Sequence, residues 1–367
     1  MALTNFAALT TEEKTVWAKD LWRAARNEMF INKFLGKGPN SMIQRITELK
    51  KDEKGARAVI TLLADLEGDG VAGDRTLENN EEAMKSYDQV IRLDQLRHAN
   101  RHEGRMADQK SVVEFRENSK NVLAYWLADR IDQVAFLTLA GLSYTQKPNG
   151  AARVGSDLAN LEFAADVAAP TSLRRLRWDV DTVSSLVTSA ATSAVAADDL
   201  PSWKMLVQLK AYAKDHYVRG IKMGDGQEGF HVFMCPQGVA RLKQDADFLN
   251  ALRHAGVRGK SNELFTGDLP MVDGLMIHEY RHVPNTQGTA TKYGNGSVEG
   301  QQVLFCGAQA LAMADIGAPY WVEKGFDYEN QQGISVGKIF GFLKPKFHSI
   351  YDASVQDFGV ISCYTAI

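Results

Sequence analysis

The chain has 367 residues, 45% hydrophobic and 24% charged, with a formal net charge of -3. That length builds one elaborate domain or two ordinary ones around a sizeable core. The near-neutral charge argues against a dedicated nucleic-acid binder, no apolar run is long enough for a membrane-spanning helix, and Met1 to Phe6 lack the pattern of a signal peptide.

Thr10 followed by Glu13 is a capping-box signature. It opens an amphipathic helix through Trp17, Leu21 and Arg26 that fades near Phe34. Lys37-Gly38-Pro39-Asn40 then breaks the chain, so this helix belongs to an arm. Its two tryptophans, Trp17 and Trp22, need a surface to pack on, in their own subunit or in a neighbour.

Ala56 to Leu63 and Tyr87 to Asp94 are β-compatible, the second with Tyr87, Ile91 and Leu93 on one face. Between them Asp65 to Asp74 is glycine-rich and acidic, followed by Glu78, Glu81 and Glu82. Such a connection cannot build a core of its own. The pattern predicts a two-stranded flap with an exposed tip, and a lone hairpin is only marginally stable, so the flap is expected to lie on a partner. Basic residues follow, Arg92 through Lys110. An acidic flap and a basic stretch on one chain suit head-to-tail contacts between copies. The contact candidates are Asp69, Asp74 and Arg75 in the flap, with Arg97 and Arg101 facing it.

Val112 to Tyr144 is the stretch around which the chain is organised. Leu123, Leu127, Ile131, Val134 and Leu142 recur at three- and four-residue steps, the spacing of one helical face. Gly141 is its first glycine, and Lys147-Pro148-Asn149-Gly150 closes it. A helix roughly three times the common length reads as a spine.

Beyond the spine, Asp181 to Ala197 reads as a small-residue helix, and Pro201 opens another through Trp203, Leu206, Leu209 and Tyr212. Phe230 to Cys235 is a buried-strand run, with Pro236 starting a helix from Gln237 to Asn250. A strand over 271–283 follows, then a glycine-rich loop from Lys292 to Gly300. Val303 to Cys306 reads as a strand running into a small-residue helix, Ala308 to Ala314. Ile334 to Phe342 and Gly359 to Thr365 are further strands. The mix is α+β with no βαβ repeat, against a doubly wound cofactor fold.

His278-Glu279-Tyr280-Arg281-His282 matches the zincin pattern, which needs two histidines one helical turn apart. An Asp-Gly turn leads in and Pro284 leads out, so the segment reads as a strand, with the histidines about 13 Å apart. That is too far for one zinc. Asp65 to Gly70 resembles a calcium loop but has Thr76 where the bidentate glutamate belongs. Gly256 to Ser261 ends like a P-loop with its first glycine too close. His98 and His102 could meet on a helix turn, but no further ligand is evident. Arg174, Arg175 and Arg177 read as a solvated or subunit-contacting face. Cys235, Cys306 and Cys363 read as reduced core cysteines. No catalytic, cofactor or metal site is expected.

The order of signals in the C-terminal half resembles that of tailed-bacteriophage major capsid proteins, in their podovirus-type branch. The blocks are Phe230 to Pro236, Phe265 to Glu279, Leu304-Phe305-Cys306-Gly307-Ala308-Gln309-Ala310, Phe326 to Gln331, and Asp357 to Ile361. The resemblance implies the Johnson fold, an arrangement also found in encapsulin compartments, which hold protein cargo instead of DNA. It implies an N-terminal arm (1–40), an extended β-hairpin loop (41–95), and a peripheral domain (96–165 and 301–350) with the spine helix over 112–144. The axial domain would be 166–300 with 351–367. By the same resemblance, many copies form an icosahedral shell of pentamers and hexamers around double-stranded DNA. Scaffolding and portal proteins and a decoration protein are the implied partners, and the virion is the implied location after synthesis in the host cytoplasm. With no lysine between Gly55 and Glu82, a lysine–asparagine cross-link from the flap is not expected, and the short N-terminus suggests a separate scaffold. A zinc hydrolase using His278, Glu279 and His282 is the alternative of another class.

Overall fold

The computed structural model describes residues 19–25, 28–46, 57–63, 66, 68–84, 86–110, 115–180, 185–189, 191–223, 226–255, 271–349 and 351–367. At its centre is the spine helix Phe115–Ala140, 26 residues and about 39 Å long. Leu123, Leu127, Ile131 and Val134 are buried, as their spacing predicts. From Ile131 to Ala140 every residue is buried, so this end is enclosed on all sides.

The helix stops four residues short of the predicted Tyr144. Gly141 takes a left-handed φ of 69°, its N–H reaches Thr138 O at 3.1 Å, and Leu142 N reaches Leu137 O at 2.9 Å. These paired bonds are a Schellman cap. A Cβ on Gly141 would stand 2.2 Å from Ala168 O, a second reason for glycine. Tyr144 folds back instead, its hydroxyl 2.6 Å from Thr138 Oγ1.

The spine lies on a six-stranded sheet built about the long strand Gln331–Leu343. One flank of that strand pairs with Asp94–Arg101. The other pairs with Tyr320–Phe326 and then, further along, with Leu311–Asp315. Leu311–Asp315 runs parallel to Ile43–Ile46, which runs parallel to Leu35–Gly36. Ile334, Val336, Phe340 and Phe342 share one core with the apolar face of the spine.

A second sheet has the spatial order Met271–Val272, Leu275–Glu279, Glu228–Met234, Gly300–Cys306, Val360–Ala366, Arg175–Asp179, Ser185–Thr188. Gly300–Cys306 and Val360–Ala366 are buried at every position, the mark of strands covered on both faces. Helix Trp203–Asp215 packs against this sheet through Met205, Leu206 and Leu209, and the Ser202 hydroxyl caps it by accepting from Met205 N. Cys235, Cys306 and Cys363 are free and buried in the two cores.

Several local expectations are overturned. Ala308 to Ala314 is not a helix: Leu311–Asp315 is a strand, buried at all five positions. Its alanines favour a helix in isolation, but pairing on both sides overrides propensity. The segment read as a helix over 181–197 holds the strand Ser185–Thr188 and a 3-10 turn at Thr192–Ala194, with 181–184 and 190 outside the described residues. The helix expected after Pro236 is two, Pro236–Gln244 and Ala246–Ala255. Asp245 parts them, and its carboxylate accepts the Trp203 N–H at 2.7 Å. Glu228–Met234 and Leu275–Glu279 are parallel neighbours with those two helices between them, so one crossover unit is present after all. His98 lies on the strand Asp94–Arg101 and His102 just beyond it, so no helix turn brings them together. The calcium-like and P-loop-like stretches fall partly or wholly outside the described residues.

Candidate assembly surfaces

The flap is a two-stranded hairpin, Arg57–Leu63 against Ser86–Arg92, in register from Arg57 opposite Arg92 to Leu63 opposite Ser86. Its base is anchored. Ala58, Ile60, Ile91 and Leu93 form a small core with Ile46, Ala312 and Ala314. Gln89 is hydrogen-bonded through both side-chain ends to the Lys346 backbone. Beyond that base almost everything is in solvent. Residues 68–84 are exposed except for half-buried Val71. Within the tip, Glu82 accepts the Gly68 N–H at 2.7 Å, the Asn80 side chain bonds the Thr76 carbonyl, and Asn80 N bonds Leu77 O at 2.9 Å. Asp69, Asp74 and Arg75 pair with nothing among the described residues, and Leu66, Leu77 and Met84 are apolar and exposed.

Arg97 is exposed on the strand Asp94–Arg101, close against Gly337. Arg101 instead holds its guanidinium 5.0 Å from the Phe326 ring centroid. Beside Arg97 is an open groove of about 760 Å³ whose cationic wall includes Arg130, Lys147 and Arg153. Arg130 and Arg153 both donate to Gln133 Oε1, at 2.9 and 2.6 Å. Burial, and then the neighbouring Arg130 charge, push the Arg153 pKa down. Arg130 also pairs with Asp129 at 3.5 Å, and Asp94 and Asp157 line the same groove, so cations exceed carboxylates there without standing alone. Sequence reasoning missed three of these cations: Arg130 lies on the spine, and Lys147 and Arg153 lie on the paired turn that follows it.

Trp17 lies outside the described residues. Trp22 is engaged within its own chain: Lys338 Nζ stands 3.7 Å from the centroid of its ring. Leu21 and Ala25 beside it enter the spine core. The buried Lys338 also donates to Asp315 Oδ1 and Gly317 O, both at 2.6 Å, and the other Asp315 oxygen takes Arg45 at 2.6 Å. Past this helix the chain turns at Phe30–Phe34. Phe30 stacks on Tyr280 at 4.0 Å, and Phe34 sits edge-on to His231 and His278.

The zincin-like motif is taken apart by the fold. The strand expected over 271–283 stops at Glu279, leaving His282 beyond it, and His278 within it is bonded to His231, Nε2 to Nδ1, at 2.8 Å. Tyr280 donates to Asp132 at 2.5 Å, and Arg281 and His282 both reach Asp129 on the spine. The two histidines therefore face different partners, and among the described residues no cluster of three or more His, Cys, Asp or Glu is placed to hold a metal. The His282 hydrogen bond holds the Asp129 carboxyl below its usual range, while burial pushes His231 and His278 down to about 4. The motif joins strand to spine. Nor is Arg174 a surface cation: it is fully buried, bonded to the Asp357 and His216 carbonyls, while Arg177 pairs with Asp179 and Asp199.

A spine helix crossing a sheet, a flap anchored at its base, and a second sheet with its own core define the subunit. The chain belongs to the phage capsid protein family, whose model matches residues 5–367. The major capsid protein of Pseudomonas phage KPP25 is 60% identical to it, over 99% of this chain and 97% of that protein. This chain too acts as a phage major capsid protein, a structural subunit of the virion and not an enzyme. The fold is shared with the capsid of Ralstonia phage GP4, at TM-score 0.75 and 24% identity over 92% of this chain and 90% of that one. Cyanophage Pam1 capsid gives TM-score 0.72 at 17% identity, over 100% of this chain and 96% of that one.

Proposed function

We propose that copies of this protein close into an icosahedral shell of pentamers and hexamers around a double-stranded DNA genome. The flap carries the reading. Asp69, Asp74, Glu78, Glu81 and Glu82 outnumber Arg75 on a tip that its own subunit scarcely touches. A segment so exposed contributes little to its own fold, and its charge matches the groove of Arg97, Arg130, Lys147 and Arg153. We assign residues 41–95 to the extended loop, 1–40 to the arm, 96–165 with 301–350 to the peripheral domain, and 166–300 with 351–367 to the axial domain. Asp69 and Asp74 of one copy meet the arginines of the next, a heterologous contact that closes by repetition.

The implied partners are scaffolding, portal and decoration proteins, and DNA held by weak non-specific contacts, since a net charge of -3 gives no overall attraction to phosphate. Synthesis takes place in the host cytoplasm before assembly into the virion. The test is deletion of residues 66–80, followed by sedimentation velocity and negative-stain imaging. The expected result is a folded subunit that fails to close shells. Normal shells from the deletion overturn the flap assignment.

A further inference from the structure

The hairpin joining Tyr320–Phe326 to Gln331–Leu343 turns through Asp327, Tyr328 and Glu329, with φ values of 48°, 47° and 64°. Three consecutive left-handed residues, none of them glycine, is a costly way to make a turn. Glycine or asparagine would be the ordinary choice at its apex, yet the apex is a tyrosine, fully exposed. The turn is also braced. Asn330 N bonds Asp327 O at 2.9 Å, the Gln331 side chain donates to Glu103 O at 2.8 Å, and Arg101 and Lys324 both stand 5.0 Å from the Phe326 ring just behind. A rigid, strained support that holds one aromatic ring in solvent is the build of an anchor residue, because a tyrosine loses little conformational entropy when it is buried by a partner. Tyr320–Phe326 lies at the edge of its sheet, and Val322 on it is more than half exposed.

We propose that Tyr328 is an inter-copy anchor, buried against a second copy of this chain in the assembled shell. A second copy is the occupant to commit to because this is a capsid subunit, whose neighbours in the shell are its own copies, and because Arg101, already a contact candidate, braces the same tip. The inference rests on the shell reading. The test keeps the two apart by first establishing wild-type shells by sedimentation; a wild-type chain that builds none would refute the shell reading and this inference with it. Hydroxyl-radical footprinting then compares Tyr328 in free subunits and in those shells, and labelling is expected to fall about tenfold on assembly. Tyr328→Gly supplies the second arm. It relieves the left-handed strain, so the free subunit should melt at the same temperature or higher while needing about tenfold more protein to assemble. Equal labelling in subunits and shells overturns the proposal. So does protection seen only in complete virions, which would make the partner another protein. Tyr328→Gly subunits that assemble at the wild-type concentration overturn it as well.

Discussion

Asp132 on the spine accepts the Phe30 N–H at 2.9 Å, and its other oxygen takes Ile31 N at 3.3 Å. One carboxylate, 1% exposed, thereby fixes the point where the N-terminal segment meets the body, and the Tyr280 hydroxyl completes its set of donors. Burial pushes its pKa up, and the three hydrogen bonds oppose that rise. Asp132→Ala would leave three donors facing an apolar wall. We expect it to destabilise the subunit by about 3 kcal/mol, read from urea unfolding. Limited proteolysis should then cut first near Phe30, while the second sheet stays resistant. A variant as stable as wild type would show that the junction is held by its aromatic contacts alone.

The neighbouring histidine pair sets a pH dependence. His231 and His278 are bonded to each other beneath Phe34, and burial holds both near 4. In the unfolded chain they titrate near 6.5, so below that pH the unfolded state takes up protons that the folded state refuses. Stability from this pair is complete above about pH 6.5 and is lost progressively as the pH falls toward 4. Lys33, on the Phe30–Phe34 turn, lowers the His278 pKa further and acts in the same direction. Asp132 acts in the opposite one, its raised pKa favouring the folded state in acid. The double variant His231→Phe, His278→Phe isolates the pair. Its melting temperature should vary less between pH 7 and pH 4 than that of wild type, and an unchanged profile would remove these histidines from the account.

What the sequence could and could not disclose follows from the range of the forces involved. The spine was legible because Leu123, Leu127, Ile131 and Val134 repeat at helical spacing, and the flap because acidic, glycine-rich residues separate two β-compatible runs. Ala308 to Ala314 was not, since its fate as a strand depends on Ile43–Ile46, more than 250 residues earlier. The cationic groove was half legible: Arg97 stood out in a basic stretch, but Arg130 and Arg153 meet only through Gln133 in the folded chain. The turn at Tyr328 stood out only as the block Phe326 to Gln331, and nothing in its residue types announced three consecutive left-handed positions.

Lys338 and Asp315 form a buried ion pair at 2.6 Å, with side chains 1% and 2% exposed. Trp22 covers the ammonium. Lys338→Met would remove one charge and leave Asp315 with Arg45 as its remaining cation. A loss of about 3 kcal/mol is expected, because an incompletely paired buried carboxylate costs more than the pair gained. Trp22→Ala should cost less, about 1 to 2 kcal/mol, by admitting water to the ammonium. Comparing the two melting curves separates the ion pair from its cover, and a Trp22→Ala loss larger than that of Lys338→Met would reverse the ranking.

The groove beside Arg97 makes a prediction in which assembly and subunit stability part company. Arg130 and Arg153 repel each other across Gln133, and Arg153 has its pKa lowered in consequence of burial and that repulsion. Replacing both with glutamine removes that repulsion together with the partly exposed Arg130–Asp129 pair, so the free subunit should keep its stability within about 1 kcal/mol. The same change removes two of the cations available to an acidic flap. Assembly of the double variant should need about tenfold more protein than wild type at low salt. Raising the salt should weaken wild-type assembly more steeply than that of the variant, since screening acts on charges the variant no longer carries. Light scattering over a concentration and salt series reads both effects. Equal salt slopes would take the groove out of the flap contact and leave Arg97 to be tested alone.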